Sequence, residues 1–118
     1  MLDDITVSDI LGHGTWSAAI EPRPRSQVVR VMGELDIAEA TIFEATMRRH
    51  IVDGRNFVLD LRECSYLDST IIRVLIRLSL KLGEALRVVS TPGSAVDRLF
   101  HITNLYEHLN IILSLDGE

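Results

Sequence analysis

The chain has 118 residues, a length typical of one compact domain, and its 47% hydrophobic and 25% charged content is ordinary for a globular protein. A formal net charge of −5 and a pI near 5.3 argue against binding to the nucleic-acid backbone, which favours basic proteins. A protein partner is therefore favoured over DNA or RNA. The single cysteine excludes an intramolecular disulfide, and the absence of signal-peptide and membrane-spanning patterns predicts a cytoplasmic protein with no direct membrane insertion.

Hydrophobic periodicity and turn residues predict a single α/β domain over residues 15–118. Five strands are predicted, at residues 15–21, 26–32, 56–61, 85–90 and 111–113. Four helices or helical turns are predicted, at residues 37–52, 70–82, 95–103 and 105–109. Residues 1–14 lack sustained periodicity and are predicted to form a lead-in segment with a short helical turn around Ile10. The expected architecture is a mixed β-sheet of four to five strands packed with about four helices.

The second strand, the first helix and the third strand form a β-α-β unit. Crossovers of this kind join parallel strands and are right-handed in nearly all cases. Parallel strands present their C-terminal ends at the same edge of a sheet. We therefore expect residues 33–36 and 65–70 to lie close together, with the loop at residues 91–94 reaching the same edge.

A pair of hydroxyl residues, Ser69 and Thr70, follows Asp68 where the second helix is predicted to begin. A helix N-terminus favours added negative charge, so Ser69 is a candidate phosphorylation site. The alternative is that the Ser69 hydroxyl simply caps the helix, which is a common use of serine at this position. Asp68 and Asp36 are expected to lie beside Ser69, and their charges would oppose that of a phosphate.

The second helix also carries Arg73, Arg77 and Lys81 on one stripe at four-residue spacing. With Ser69 and Thr70, the two arginines are the polar groups this helix offers to a partner. The alternative is that the stripe is only the solvated side of a buried helix.

The remaining reactive residue types do not assemble into a catalytic or metal centre. The four histidines lack zinc-ligand spacing, and no nucleophile–base pair can be built from the three loops placed together. We therefore expect no catalytic residue, no metal and no cofactor. Asp60 is predicted to bond to nearby backbone or to face a polar seam, and Cys64 to be a plain buried cysteine rather than a reactive thiol.

Four blocks of the sequence, in order and in register, resemble the STAS domain of bacterial anti-sigma factor antagonists over about residues 15–113. The blocks are Gly33–Ala38, Phe57–Leu61, Tyr66–Thr70 and Arg98–Leu105. The resemblance implies a small α/β domain that regulates transcription by binding an anti-sigma factor, often a switch serine kinase, and so freeing a sigma factor. It also implies that the kinase phosphorylates Ser69, that a phosphatase reverses this, and that phosphorylation expels the partner. Asp36 falls where the family has an acidic residue near the phosphorylation loop.

One residue departs from the pattern of the kinase-switched group, because Ile71 stands where a glycine is expected. A β-branched residue there is predicted to restrict the backbone and to add bulk where a kinase would approach. The Asp-Ser-x-Ile pattern is more similar to the STAS scaffold proteins of the stressosome, which act in stress-response signalling and are phosphorylated on the same serine. A STAS subunit of a membrane transport system is a third alternative, and weak homodimer formation through the first strand also stays open.

Overall fold

The structure, a computed structural model, describes residues 9–118, with side chains from residue 14 onward. It contains one six-stranded sheet whose strands lie in chain order. The strands are β1 (Asp9–His13), β2 (Trp16–Pro22), β3 (Ser26–Leu35), β4 (Asn56–Leu67), β5 (Leu86–Val89) and β6 (Asn110–Ile112). The helices are α1 (Ala40–Arg49), α2 (Ser69–Leu82) and α3 (Ala95–Ile102), with 3₁₀ turns at Ile37–Glu39, Gly83–Ala85 and Leu105–Glu107.

The sheet is mixed, as predicted. Strands β1, β2 and β3 pair antiparallel, and β3, β4, β5 and β6 pair parallel. The described residues contain one strand more than expected, and three helices where about four were expected. The helical turn predicted at residues 105–109 is present as the 3₁₀ turn at Leu105–Glu107.

The prediction of a helical turn around Ile10 was wrong. Residues 9–13 form strand β1, which pairs with β2 from Asp9 opposite Ile20 to His13 opposite Trp16. The tight connection passes through Gly14, whose φ of +58° suits glycine. Pairing with a neighbour, rather than its own periodicity, makes this segment a strand. Residues 1–8 of the predicted lead-in segment lie outside the described part of the chain.

The β-α-β unit is present, with β3 and β4 parallel and α1 between them. Gly33, which was expected to end the second strand, lies inside β3 next to a register shift, and the strand continues to Leu35. The carboxylate of Asp36 then accepts a hydrogen bond of 3.0 Å from the backbone N–H of Ala38. It caps the 3₁₀ turn, so α1 begins three residues later than predicted, at Ala40.

The main hydrophobic core lies between one face of the sheet and the three helices. Phe43 and Met47 of α1, Leu75 of α2 and Phe100 of α3 are all fully buried there. Trp16 of β2 meets Phe43 edge-on, with ring centroids 5.5 Å apart. These contacts hold the three helices against the sheet.

The second face of the sheet, which carries Val28, Asp60 and Arg87, has a different character. Its small buried cluster contains no residue from the helices. Asp60 is buried there and accepts hydrogen bonds of 3.0 and 2.9 Å from the guanidinium of Arg62, with Arg30 at 3.7 Å. Burial alone would raise the pKa of Asp60, but the hydrogen bonds from Arg62 and the charges of Arg62 and Arg30 together hold the pKa below its ordinary value. The predicted polar seam is confirmed.

We expect Gly33→Ala to lower the free energy of unfolding by about 3 kcal/mol or more, because the new methyl group would strain the backbone and clash. Gly33 has a φ of +96°, and a Cβ there would lie 2.3 Å from the carbonyl oxygen of Thr15. Gly54→Ala is the matched control, since Gly54 has a φ of +83° but no atom within 4 Å of its would-be Cβ. This control should cost only about 1 kcal/mol. Urea denaturation measures both, and equal losses would contradict the close approach.

Candidate functional site

The ends of β3 and β4 bring two loops together at one edge of the sheet. Leu35 pairs with Leu67 in the parallel ladder. The backbone N–H of Asp68 then donates to the carbonyl of Leu35 over 2.9 Å. The Ser65 hydroxyl donates to the carbonyl of Gly33 over 3.3 Å. The predicted closeness of residues 33–36 and 65–70 is therefore confirmed.

Asp68 is the N-cap residue of α2. Its Oδ2 accepts one hydrogen bond of 2.8 Å from the backbone N–H of Thr70 and another of 2.7 Å from the Thr70 hydroxyl. The Tyr66 hydroxyl lies 3.4 Å from the other carboxylate oxygen. The hydrogen bonds from Thr70 lower the pKa of Asp68, so this carboxylate is charged at neutral pH. Capping, offered above as an alternative role for Ser69, belongs to its neighbour.

Ser69 is the first residue of α2 and is exposed. Within the described residues its hydroxyl has no hydrogen-bond partner, whereas the hydroxyl of the half-buried Thr70 is held by Asp68. The two adjacent hydroxyls therefore differ in availability. Ser69 lies at the positive end of the helix dipole, where the first backbone N–H groups lack partners within the helix. The arrangement is chemically suited to accepting a phosphoryl group on Ser69.

Ile71 does not obstruct this loop. Its side chain is 0% exposed and belongs to the main core with Ile72. The expectation that Ile71 adds bulk on the surface where a kinase would approach was wrong. A helix that begins at Ser69 turns its third residue inward, so the β-branched side chain is accommodated by the core.

The surroundings of Ser69 are acidic. The pKa of Tyr66 is raised by desolvation of its hydroxyl, by the charge and hydrogen bond of Asp68, and by the charges of Asp36 and Glu34. All three carboxylates therefore act on the Tyr66 hydroxyl, which lies 3.4 Å from the carboxylate of Asp68, the residue before Ser69. A phosphate added here would enter a negative field that the helix dipole only partly offsets.

The basic residues of the α2 stripe differ in whether their side chains form ion pairs. Arg77 forms an ion pair of 2.6 Å with Glu44 of α1, and Arg48 binds the same carboxylate at 2.9 Å. The Arg77 hydrogen bond is the main cause of the lowered pKa of Glu44. Arg73 is exposed and makes no ion pair with any side chain of residues 14–118. Arg77 therefore joins two helices, while Arg73, one turn from Ser69, has its charge available.

Exposed apolar side chains surround the loop. Ile37 is 66% exposed, Tyr66 47% and Ile102 81%. Tyr66 and Ile102 line a shallow cleft of about 260 Å³, together with Leu67, Ala95, Arg98 and Leu99. Ile37 and Ile102 were predicted only as helix residues and not as part of an exposed surface. The sequence did carry a sign of their exposure, because each is an apolar residue on a side of its helix that the buried apolar stripe does not include.

Other residues at this edge have structural roles. Cys64 is buried, its thiol donates to the carbonyl of Tyr66 over 3.2 Å, and burial raises its pKa to about 11. The thiol is therefore protonated at neutral pH, which confirms the prediction of a plain buried cysteine. At the start of α3, the Ser94 hydroxyl accepts a hydrogen bond of 3.1 Å from the backbone N–H of Asp97 and caps the helix.

Within the described part of the chain, no group of three or more His, Cys, Asp and Glu side chains is placed to hold a metal ion. None of the helices in residues 9–118 combines the length and apolarity needed to cross a bilayer.

Comparison with known proteins agrees with this geometry. An anti-sigma factor antagonist from Mycobacterium paratuberculosis superposes with a TM-score of 0.76 at 26% identity, over 86% of this chain and 89% of that one. An antisigma-factor antagonist STAS domain from Rhodobacter sphaeroides shares the fold, with a TM-score of 0.51 at 22% identity, over 63% of this chain and 85% of that one. No curated protein sequence matches the chain. The sequence profile of the STAS domain matches residues 17–117, and the chain therefore belongs to the STAS domain family.

Proposed function

We propose that the protein is an anti-sigma factor antagonist of the bacterial cytoplasm. It binds an anti-sigma factor or switch serine kinase through the surface around Ser69, and reversible phosphorylation of Ser69 controls the binding. The observation that carries this proposal is the exposed Ser69 hydroxyl, without a partner in the described residues, beside a charged Asp68 cap. The similarity to the Mycobacterium paratuberculosis antagonist supports the class of partner.

The docking surface combines apolar and polar groups at the edge of the sheet. Ile37, Tyr66 and Ile102 supply exposed apolar area that a partner would bury. Asp36, Asp68, Thr70, Arg73 and Arg77 are the polar residues proposed to contact the partner or to shape the surface. Of these, Arg73 is the cation best placed to meet an acidic group of the partner, because Arg77 is already paired with Glu44.

Phosphorylation would act on this surface by charge. A phosphoserine carries roughly −1.5 to −2 charges and would join the carboxylates of Asp68, Asp36 and Glu34. In the complex, the partner would exclude water from the loop, and an uncompensated buried charge costs several kcal/mol. The partner would therefore be released, and a phosphatase would restore binding. The protein itself is proposed to bind rather than to catalyse.

A stressosome-type STAS scaffold is a second candidate, favoured by the Asp-Ser-x-Ile sequence of the loop. Ile71 is accommodated in the core, so this pattern is compatible with an accessible Ser69. The two candidates differ in the partner: an anti-sigma factor in the first, a sequestered kinase and further STAS proteins in the second. Mass spectrometry of proteins captured on the Ser69→Ala variant separates them.

The captured partner is then used to test the switch. We expect Ser69→Asp to weaken binding at least about 100-fold, because its carboxylate adds charge to an acidic, desolvated loop. Ser69→Ala should bind like the natural chain and should not be phosphorylated at this position. Both variants should melt near the natural temperature, since Asp68 provides the cap. Equal binding by both variants, measured by calorimetry, would eliminate the switch.

A second variant tests why Ser69 rather than Thr70 is modified. In Asp68→Ala the Thr70 hydroxyl loses its 2.7 Å hydrogen bond, so we expect phosphate to appear on Thr70 as well as on Ser69. Asp68→Asn is the matched control, because its amide oxygen can still hold Thr70, and it should keep phosphate on Ser69 alone. Phosphopeptide mapping after incubation with the captured kinase and ATP reads out the sites. Phosphate confined to Ser69 in both variants would contradict the role of the Asp68–Thr70 bond.

A charge reversal tests the position of the interface. Arg73→Glu should weaken partner binding roughly tenfold by removing a cation beside the phosphorylation loop. Lys81→Glu, the same change in charge two turns further along the exposed stripe, is the control and should leave affinity unchanged. Circular dichroism should show both variants folded. If Lys81→Glu had the larger effect, the interface would lie at the other end of α2.

A further inference from the structure

The second face of the sheet is covered by the segment that follows β6. Val28, Val58 and Val89 project from three adjacent parallel strands and are fully buried. Leu115 packs against this valine cluster. The segment that brings Leu115 there contains no helix or strand after residue 112.

A carboxylate from the same segment occupies a polar pocket beside the valines. The side chain of Glu118 is only 3% exposed. Its Oε1 accepts from the Ser26 hydroxyl over 3.0 Å, and its Oε2 accepts from Nη1 of Arg87 over 2.5 Å. Ser26 begins β3 and Arg87 lies in β5, so rigid strands on either side of β4 build the pocket. Charge-assisted hydrogen bonds of this kind are the strong ones.

The backbone between Leu115 and Glu118 forms a turn. The N–H of Glu118 donates to the carbonyl of Leu115 over 3.0 Å, and Gly117 has a φ of +88°. Nη1 of Arg23 approaches the same carbonyl at 3.5 Å. The face thus receives a turn whose first residue is apolar and whose fourth residue carries a carboxylate.

The pocket also has a donor that its present occupant does not use. The Nε atom of Arg87 is buried and has no hydrogen-bond partner in the described residues. Arginine commonly binds a carboxylate through two N–H groups, and here only Nη1 is engaged. The pocket therefore offers an anion one more N–H donor than Glu118 binds.

We propose that this face carries a peptide-binding site for an acidic turn of the form Leu-x-x-Glu, latched in cis by residues 115–118. The site lies at the strand ends opposite to Ser69, on the face away from the helices, and is separate from the docking surface proposed above. A short tether gives the cis segment a high effective concentration. An acidic peptide from elsewhere therefore binds only when the latch is weakened.

The test supplies the latch in trans to the full-length chain. The probe is a fluorescent peptide with the sequence of residues 113–118 and a C-terminal amide. The amide removes the backbone carboxylate, so the last residue of the probe carries only its side-chain carboxylate. The receptor is the Leu115→Ser, Glu118→Gln double variant, which removes both docking groups in cis. We expect the probe to bind this variant at least tenfold more tightly than it binds the natural chain. Adding Arg87→Met, or replacing the last residue of the probe by glutamine, should abolish the binding.

Hydrogen exchange gives a second readout that does not need the peptide. In the natural chain with Glu118→Gln alone, the amides of residues 115–118 should exchange at least tenfold faster while those of β4 stay protected. The proposal is overturned if the probe binds neither form, if the glutamine probe binds equally well, or if exchange of the segment is unchanged.

Discussion

The parallel pairing of β3 with β4 is the constraint on which the site depends. The ladder passes the irregularity at Gly33 and ends with Leu35 opposite Leu67, and the N–H of Asp68 continues it by bonding to the carbonyl of Leu35. This bond fixes the backbone where α2 must begin. The cap, the first helical residue and the inward-facing residues that follow are placed by that one junction. If α2 began one residue later, Ser69 would be the N-cap residue and Thr70 the first residue of the helix.

Asp68 uses its carboxylate for two purposes that reinforce each other. As a cap it satisfies the backbone N–H of Thr70, and as an acceptor it holds the Thr70 hydroxyl. The same hydrogen bonds keep it ionised, so its charge is part of the loop at neutral pH. A residue that stabilises the helix thereby leaves Ser69 available and makes the loop more sensitive to further negative charge.

The meeting of Asp36, Asp68 and Ser69 at one edge could be predicted, because a β-α-β unit allows only one arrangement of its strand ends. Which residue caps α2 could not be predicted from the sequence. Asp68 and Ser69 are both good N-cap residues, and only the pairing of Leu35 determines which one has extended backbone. The inward direction of Ile71 follows from that same choice, whereas the expectation of added bulk rested only on the glycine that Ile71 replaces. Strand β1 was missed because its own sequence carries little periodicity, and its neighbour supplies the hydrogen bonds.

The burial of Ile71 also bears on how a phosphate at Ser69 would act. Ile71 and Ile72 anchor the first turn of α2 in the core, and exposing both would cost roughly 3–6 kcal/mol. Repulsion between an exposed phosphate and these partly exposed carboxylates is weaker than this in water, where salt screens it. The start of the helix should therefore stay in place when Ser69 is modified. In the proposed switch, the change that a partner detects is negative charge on a fixed surface, and the repulsion becomes decisive only when the partner removes water from the loop.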